Sequence, residues 1–182
     1  MDSGITALVS GGMAGLAASA GAGLVLMHMR GEPRTMQQDP RYDDVVRDVA
    51  GFLRQRTQAC IDAGIERDRI ILDPGFGFGK TLRHNMQLLN GLAAISGLEL
   101  PVLVGLSRKS MLGAIIDKPV DQRLVGTVAA HMAALVNGAE IAGNIALIDR
   151  GSCTFACPSS IPIVQLIRTA KDDLTHRKET DA

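Results

Sequence analysis

Residues 69–81 read RIILDPGFGFGKT. A short run rich in isoleucine and leucine ends at Leu72, and Asp73 then opens a loop that holds three glycines and two phenylalanines. Such a run is typical of a strand that is buried on both faces of a sheet. In α/β proteins, ligand-binding groups gather at the carboxyl ends of the strands. The residues that follow each apolar run are therefore the first candidates for a site.

The same kind of run recurs along the chain, at residues 5–9, 23–27, 101–104 and 145–148. Segments with helical periodicity lie between the runs. The first has Asp43 or Asp44 as its cap, an apolar face that begins with Val45 and Val49, and a stop at Gly64. Strands that alternate with helices predict a parallel sheet and an α/β fold. Periodicity alone leaves open a barrel or an open doubly wound sheet.

Two further helices are predicted, over residues 84–95 and 121–136. In the first of these, the spacing predicts that Leu88, Leu89, Leu92 and Ile95 face the core. In the second, the spacing predicts a core-facing stripe formed by Leu124, Val125, Val128, Met132 and Val136.

Composition narrows the possible functions. With 182 residues, of which 46% are hydrophobic and 21% charged, the chain can form one globular domain. Lys plus Arg and Asp plus Glu both number 19, and only four Phe and one Tyr are present, which argues against nucleic acid as a partner. Three cysteines, an odd number, favour free thiols and a cytoplasmic location.

Residues 5–29 contain no Asp, Glu, Lys or Arg, and a segment of this length can cross a bilayer. However, the segment is rich in glycine and alanine and follows Asp2 rather than a basic stretch. We therefore expect a buried strand, helix and strand here, and no contact with a membrane.

The glycine-rich loop is not a nucleotide-binding motif. A phosphate-binding P-loop needs a glycine where Pro74 stands, and the glycines do not follow the dinucleotide-binding spacing. Asp73 at a strand end can accept two hydrogen bonds from a planar, guanidine-like group, and Phe76 or Phe78 can cover a flat substrate. The alternative is that Asp73 only caps the turn that follows it.

Two more loops follow predicted strands. Residues 105–110 read GLSRKS, and in an extended chain Arg108 and Lys109 point to opposite sides, so that one can face a pocket. The alternative is a solvated basic surface. Residues 27–37 read MHMRGEPRTMQ, in which Met27 can line an apolar slot and His28 can titrate near neutral pH or serve as a structural residue.

Together, "MHMRGEPRTMQ", "LDPGFGFGKT" and "VGLSRKS", in this order, resemble the dihydropteroate synthase family, whose fold is a TIM barrel. The resemblance implies a transferase that joins dihydropterin diphosphate to 4-aminobenzoate, with Mg²⁺ as cofactor and a homodimer as a possible assembly. It implies that Asp73 and Lys109 are the catalytic pair. The substrate-binding residues would be Met27, Phe76, Phe78, Gly105 and Ser107.

The chain also departs from the family pattern. The upstream loop that helps to hold Mg²⁺ is absent, Ala7 and Leu8 stand where the family has Asn-Asp, and the family's phosphate-binding Arg-x-His near the end is missing. We therefore expect an incomplete barrel of about five of the eight βα units over residues 1–141. Residues 142–182 would form a divergent strand, helix and charged tail. Two alternatives stay open: a non-catalytic pterin-binding or partner-pairing fragment, and a pterin-dependent methyltransferase.

Overall fold

The computed structural model describes residues 23–142. Predictions for residues 1–22 and 143–182, including the strands at 5–9 and 145–148, lie outside the described residues. The strands, in chain order, are β1 (Leu24–Met27), β2 (Ile70–Asp73), β3 (Leu103–Val104) and β4 (Ile141–Ala142). The helices are α1 (Val45–Asp62), α2 (Leu82–Asn90), α3 (Ala93–Ser96), α4 (Ser110–Ile116) and α5 (Leu124–Val136). Short 3-10 turns at Arg67–Arg69 and Val120–Gln122 precede β2 and α5.

The four strands run parallel and neighbour one another in chain order. β1 pairs with β2 from Leu24 opposite Ile70 to Met27 opposite Asp73, and β3 pairs with β4. A single parallel bridge between Leu72 and Val102 joins the two pairs. Because helices separate consecutive strands, each unit is a strand, helix and strand crossover. The predicted α/β class is confirmed, and all carboxyl ends lie along one edge.

Helix α1 forms where the sequence predicts it. The Asp44 carboxylate accepts hydrogen bonds from the backbone N–H groups of Val46 and Arg47, both at 3.0 Å, so Asp44 is the N-cap. Val49 and Leu53 are fully buried. The helix ends just before Gly64, which has a φ of +90° and so allows the left-handed turn that stops a helix.

The helix predicted over residues 84–95 is two helices, α2 and α3, divided at Gly91. A side chain at this position would lie 2.7 Å from a methyl group of Val46, so the glycine permits α1 to pack closely at the break. Leu88, Leu89 and two residues beyond the break are buried as the spacing predicts, the latter two being Leu92 and Ile95.

The buried face predicted for α5 is wrong in part. Leu124, Val128 and Met132 are partly buried. Val125 and Val136, assigned to the core, are 81% and 63% exposed, whereas Thr127 and His131 are buried. The polar pair is tolerated inside because the chain between β3 and α4 supplies donors: the N–H of Arg108 bonds to Thr127 and that of Leu106 to His131. Helix α4 was not predicted. Among residues 23–142, no helix is long and apolar enough to span a membrane.

Candidate functional site

The site lies where β1 and β2 end side by side. Met27 and Asp73, the last residues of these strands, are direct register partners, and the N–H of His28 donates to the carbonyl oxygen of Asp73 at 2.9 Å. The Asp73 carboxylate accepts the N–H of Gly75 at 2.8 Å. This bond is the turn cap that the alternative interpretation proposed for Asp73. It occupies Oδ1 once and leaves further lone pairs on the carboxylate.

Lys109 reaches the same region from the loop after β3. Its Nζ donates to the carbonyl oxygen of Phe76 and lies 4.7 Å from the centre of the Phe78 ring. A cation over an aromatic face at this distance is attracted by the ring quadrupole. The aliphatic part of Lys109 passes within 3.4 Å of the position a Gly77 side chain would take, so Lys109 packs directly beside the glycine loop. The glycine loop and the Ser-Arg-Lys loop therefore meet.

Asp73 and Lys109 each shift the pKa of the other. Burial raises the pKa of Asp73, while the Gly75 N–H, the positive charge of Lys109 and that of Lys80 oppose the rise. Burial lowers the pKa of Lys109, and the Asp73 charge opposes that fall. The two side chains thus share one electrostatic environment and do not both point into bulk water.

The two aromatic side chains of the loop differ in exposure. The Phe76 ring is completely buried, and the group this residue offers to Lys109 is its backbone carbonyl. Phe78 is partly exposed, with Lys109 above it. Of the two rings, Phe78 is the one with surface available to a flat ligand.

The remaining predicted residues border this region. Met27 is partly exposed, and its Cγ lies 3.4 Å from the position a Gly75 side chain would take. Gly105 follows β3 and has no atom within 4 Å of the position a side chain would occupy, so the space beside it is open. Ser107 is partly exposed in the next turn of the same loop.

The adjacent basic residues Arg108 and Lys109 differ in exposure, but not because of the extended backbone that the sequence predicts. Arg108 adopts a left-handed conformation, φ +52°, rather than an extended one. Arg108 is exposed and Lys109 is partly buried, so one basic residue faces solvent and the other the site, as predicted. The turn, and not strand alternation, produces this outcome.

Comparison with known proteins identifies the family. A sequence model of the family described as "Pterin binding enzyme" matches residues 5–143. The chain belongs to the pterin-binding enzyme family. The dihydropteroate synthase of Haemophilus influenzae is 53% identical over 116 residues, which are 64% of this chain and 42% of that protein. That of Escherichia coli K12 is 46% identical over 125 residues, 69% of this chain and 44% of that protein.

Solved structures agree with this assignment. A Yersinia pestis dihydropteroate synthase in complex with a sulfonamide drug has a TM-score of 0.72 and 45% identity, over 76% of this chain and 50% of that one. A Thermus thermophilus dihydropteroate synthase in complex with 4-aminobenzoate has a TM-score of 0.68 and 44% identity, over 71% and 53%. The resemblance to dihydropteroate synthases is confirmed, and the α/β fold is of the TIM-barrel type. The chain spans about half the length of these relatives.

Sequence reasoning missed two polar residues that support the glycine loop. Lys80, weighed only as part of a P-loop, is 3% exposed, and its ammonium donates to carbonyl oxygens of this loop. The Asn85 side chain also supports the loop, since its Oδ1 accepts the N–H of Gly77 at 2.8 Å.

The described part of the chain does not provide a magnesium site. Within residues 23–142, no group of three or more His, Cys, Asp or Glu side chains is arranged to hold a metal ion. The Mg²⁺ that the resemblance implies has no ligand set among these residues.

Proposed function

We propose that this chain acts as a dihydropteroate synthase, which binds 6-hydroxymethyl-7,8-dihydropterin diphosphate and 4-aminobenzoate and joins them to form 7,8-dihydropteroate. One observation carries the proposal: Asp73 and Lys109 meet at neighbouring strand ends, with the partly exposed Phe78 ring beside them. A carboxylate, an ammonium and an aromatic ring are the groups needed to hold a flat heterocycle that presents donors on one edge and a carbonyl on another.

Asp73 would bind the amino-pyrimidine edge of the pterin. One hydrogen bond from Gly75 fixes the carboxylate orientation, and the free lone pairs can accept two N–H groups from that edge. Its raised pKa reflects burial, and a guanidine-like partner that donates to it favours the ionised form. The negative charge also stabilises the positive charge that develops on the pterin during transfer.

Lys109 would donate to the pterin carbonyl and border the aminobenzoate position, where Phe78 supplies a ring surface. Met27 and Gly105 would form the walls of the pterin slot, Ser107 would lie near the aminobenzoate carboxylate, and Phe76 would act through its carbonyl on Lys109. In the reaction, the arylamine nitrogen bonds to the pterin methylene carbon as the carbon–oxygen bond to diphosphate breaks, and the nitrogen loses a proton. Diphosphate leaves with the bonding electrons, so the site contributes mainly by positioning.

The architecture, cofactor, assembly and location form the rest of the proposal. We infer an incomplete barrel of about five βα units over residues 1–141, with residues 142–182 as a divergent segment. Mg²⁺ would assist the departure of diphosphate, consistent with membership of this family. The exposed valines of α5 support a homodimer. The three cysteines of the chain, of which Cys60 is a buried free thiol, support a cytoplasmic location.

Isothermal titration of the full 182-residue chain with the dihydropterin diphosphate tests the central step. In Asp73→Asn, the amide oxygen can still accept the Gly75 N–H, so the loop is retained while the charge is lost. A hydrogen bond to a charged group contributes about 1.5–3 kcal/mol, which predicts binding weaker by about 10- to 150-fold. Asp43→Asn, the same change at an exposed position, is the matched control and should bind as the wild type does.

Equal affinities of Asp73→Asn and the wild type would end the proposal. Turnover is measured separately, as formation of dihydropteroate from radiolabelled 4-aminobenzoate. A chain that binds the pterin through Asp73 and forms no product is a pterin-binding fragment, the second candidate.

A further inference from the structure

Lys80 is a buried cation at the end of the glycine loop. It directly precedes Thr81, the N-cap of α2, and only 3% of its surface is exposed. Lysine is almost never buried to this degree unless its ammonium is paired, since an ion loses its hydration on burial. The contacts of the ammonium must therefore offset part of that loss.

Three close acceptors and one more distant acceptor surround the Lys80 ammonium. Its Nζ lies 2.8 Å from the carbonyl oxygen of Gly75, 3.1 Å from that of Phe78 and 3.0 Å from Nδ1 of His28. The carbonyl oxygen of His28 is 3.5 Å away. An ammonium carries three N–H donors, so each of the three close acceptors can take one. Burial, reinforced by the charge of Lys80, lowers the pKa of His28 to about 3, so its ring is neutral and can accept at Nδ1.

The acceptors belong to two loops that carry site residues. His28 directly follows Met27 at the end of β1, whereas Gly75 and Phe78 belong to the glycine loop after β2. The backbones of these loops touch, since a side chain on Gly75 would lie 1.8 Å from the carbonyl oxygen of His28. Lys80 contacts acceptors of both loops, so its ammonium links them at this point.

We propose that Lys80 is a positioning residue for the pterin and aminobenzoate site: its buried ammonium locks the glycine loop to the loop after β1. This fixes the Phe78 ring and the Phe76 carbonyl that holds Lys109, although Lys80 itself touches no substrate. The inference rests on the proposed function for the ligands it names, while the lock between the two loops is a property of the free protein.

Opposing effects act on the charge of Lys80. Burial, the largest, and the Lys109 charge lower the Lys80 pKa to about 7, whereas the Asp73 charge raises it. Burial and the Lys80 charge in turn lower the pKa of His28 and of His84. Asp73 favours the charged form of both lysines, so the ammonium of Lys80 is coupled to the carboxylate proposed to bind the pterin.

The test uses the full 182-residue chain at pH 6, where Lys80 is protonated. Amide hydrogen exchange of the glycine loop is measured in Lys80→Ala and in Lys118→Ala, which removes the same side chain from an exposed position. The loop amides that report are Gly75, Gly77 and Phe78, whose hydrogen bonds are known. We expect exchange at least about tenfold faster in Lys80→Ala, the effect of losing charge-assisted hydrogen bonds, and no change in the control.

Chemical rescue separates positioning by charge from the filling of space. Ethylammonium fits the cavity left by Lys80→Ala and can bond to the same three acceptors, whereas ethanol fills a similar volume without the charge. Ethylammonium should restore both the slow exchange and the affinity for 4-aminobenzoate, and ethanol should restore neither. Unchanged exchange in Lys80→Ala, or equal rescue by the two compounds, would overturn the proposal.

A wild-type measurement covers the case in which Lys80→Ala does not fold. The ammonium protons of Lys80, observed through its Nζ by nuclear magnetic resonance, should exchange with water at least about tenfold more slowly than those of Lys118, because three hydrogen bonds hold them. Equal exchange at the two lysines would also overturn the proposal. These exchange readouts need no ligand, so a wild-type chain that fails to bind 4-aminobenzoate counts against the proposed function alone.

Discussion

Replacing Gly75 with alanine should destabilise the protein strongly. Gly75 has a φ of +67°, a left-handed conformation that costs an alanine about 1–2 kcal/mol. The new Cβ would also lie 1.8 Å from the carbonyl oxygen and 3.0 Å from the carbonyl carbon of His28. Both atoms belong to the backbone and cannot turn away, and overpacking of this kind costs about 1–3 kcal/mol. The expected loss is therefore about 2–5 kcal/mol in the free energy of unfolding.

Urea denaturation followed by circular dichroism measures this loss, and Gly51→Ala is the control. Gly51 lies inside α1, and no atom is within 4 Å of the position of its added methyl group. The same substitution there should stabilise the protein by about 0.5–1 kcal/mol, because alanine favours the helix. Destabilisation by Gly75→Ala together with stabilisation by Gly51→Ala would show that the surroundings of Gly75, and not the added methyl group itself, cause the loss. A Gly75→Ala protein within about 0.5 kcal/mol of the wild type would refute the reasoning.

Two further results are expected. The pKa of Lys80 is about 7 in the folded protein and 10.5 without burial, so the unfolded chain binds more protons between these two pH values. The unfolding free energy of the wild type, measured relative to Lys80→Met, should therefore rise with pH across this window, by at most about 1.4 kcal/mol per pH unit. A difference that does not change with pH would contradict this prediction. Asp44→Ala should lower the unfolding free energy by about 1 kcal/mol through loss of the N-cap, with the exposed Asp43→Ala as control; equal losses in thermal unfolding would show that the cap does not matter.

The sequence predicts an element well where its local signals agree. Helix α1 has a capping aspartate, a regular apolar face and a glycine stop, and the structure places its ends at these signals. The break at Gly91 was missed because its cause is not local. The glycine is needed for contact with Val46, which lies 45 positions earlier in the chain.

Helix α5 shows a second limit. The predicted stripe follows its large apolar residues, which leaves Thr127 and His131 off the buried face. Both are buried in the structure, because backbone N–H groups of the loop after β3 donate to them. Tertiary hydrogen bonds thus shifted the buried face away from the one that apolar spacing predicts.

The predicted site also combines residues that local sequence signals reveal with one that only tertiary contacts reveal. The strand-end rule and the family resemblance selected Asp73 and Lys109, and the structure brings these side chains within electrostatic reach of each other. Pterin binding by this pair is a proposal. Lys80 was overlooked because exposure cannot be deduced from one sequence: a lysine next to glycines suggests a solvated loop, and only the fold shows the acceptors around it.

The tight backbone contact of the glycine loop has a consequence for inhibition. At Gly75 and Gly79, any side chain would collide with a backbone carbonyl, that of His28 in one case and of Arg30 in the other. Single mutations at these two positions would damage the protein before they disturbed a bound drug. A compound that binds the main chain of this loop would therefore be difficult to evade by substitution at Gly75 or Gly79.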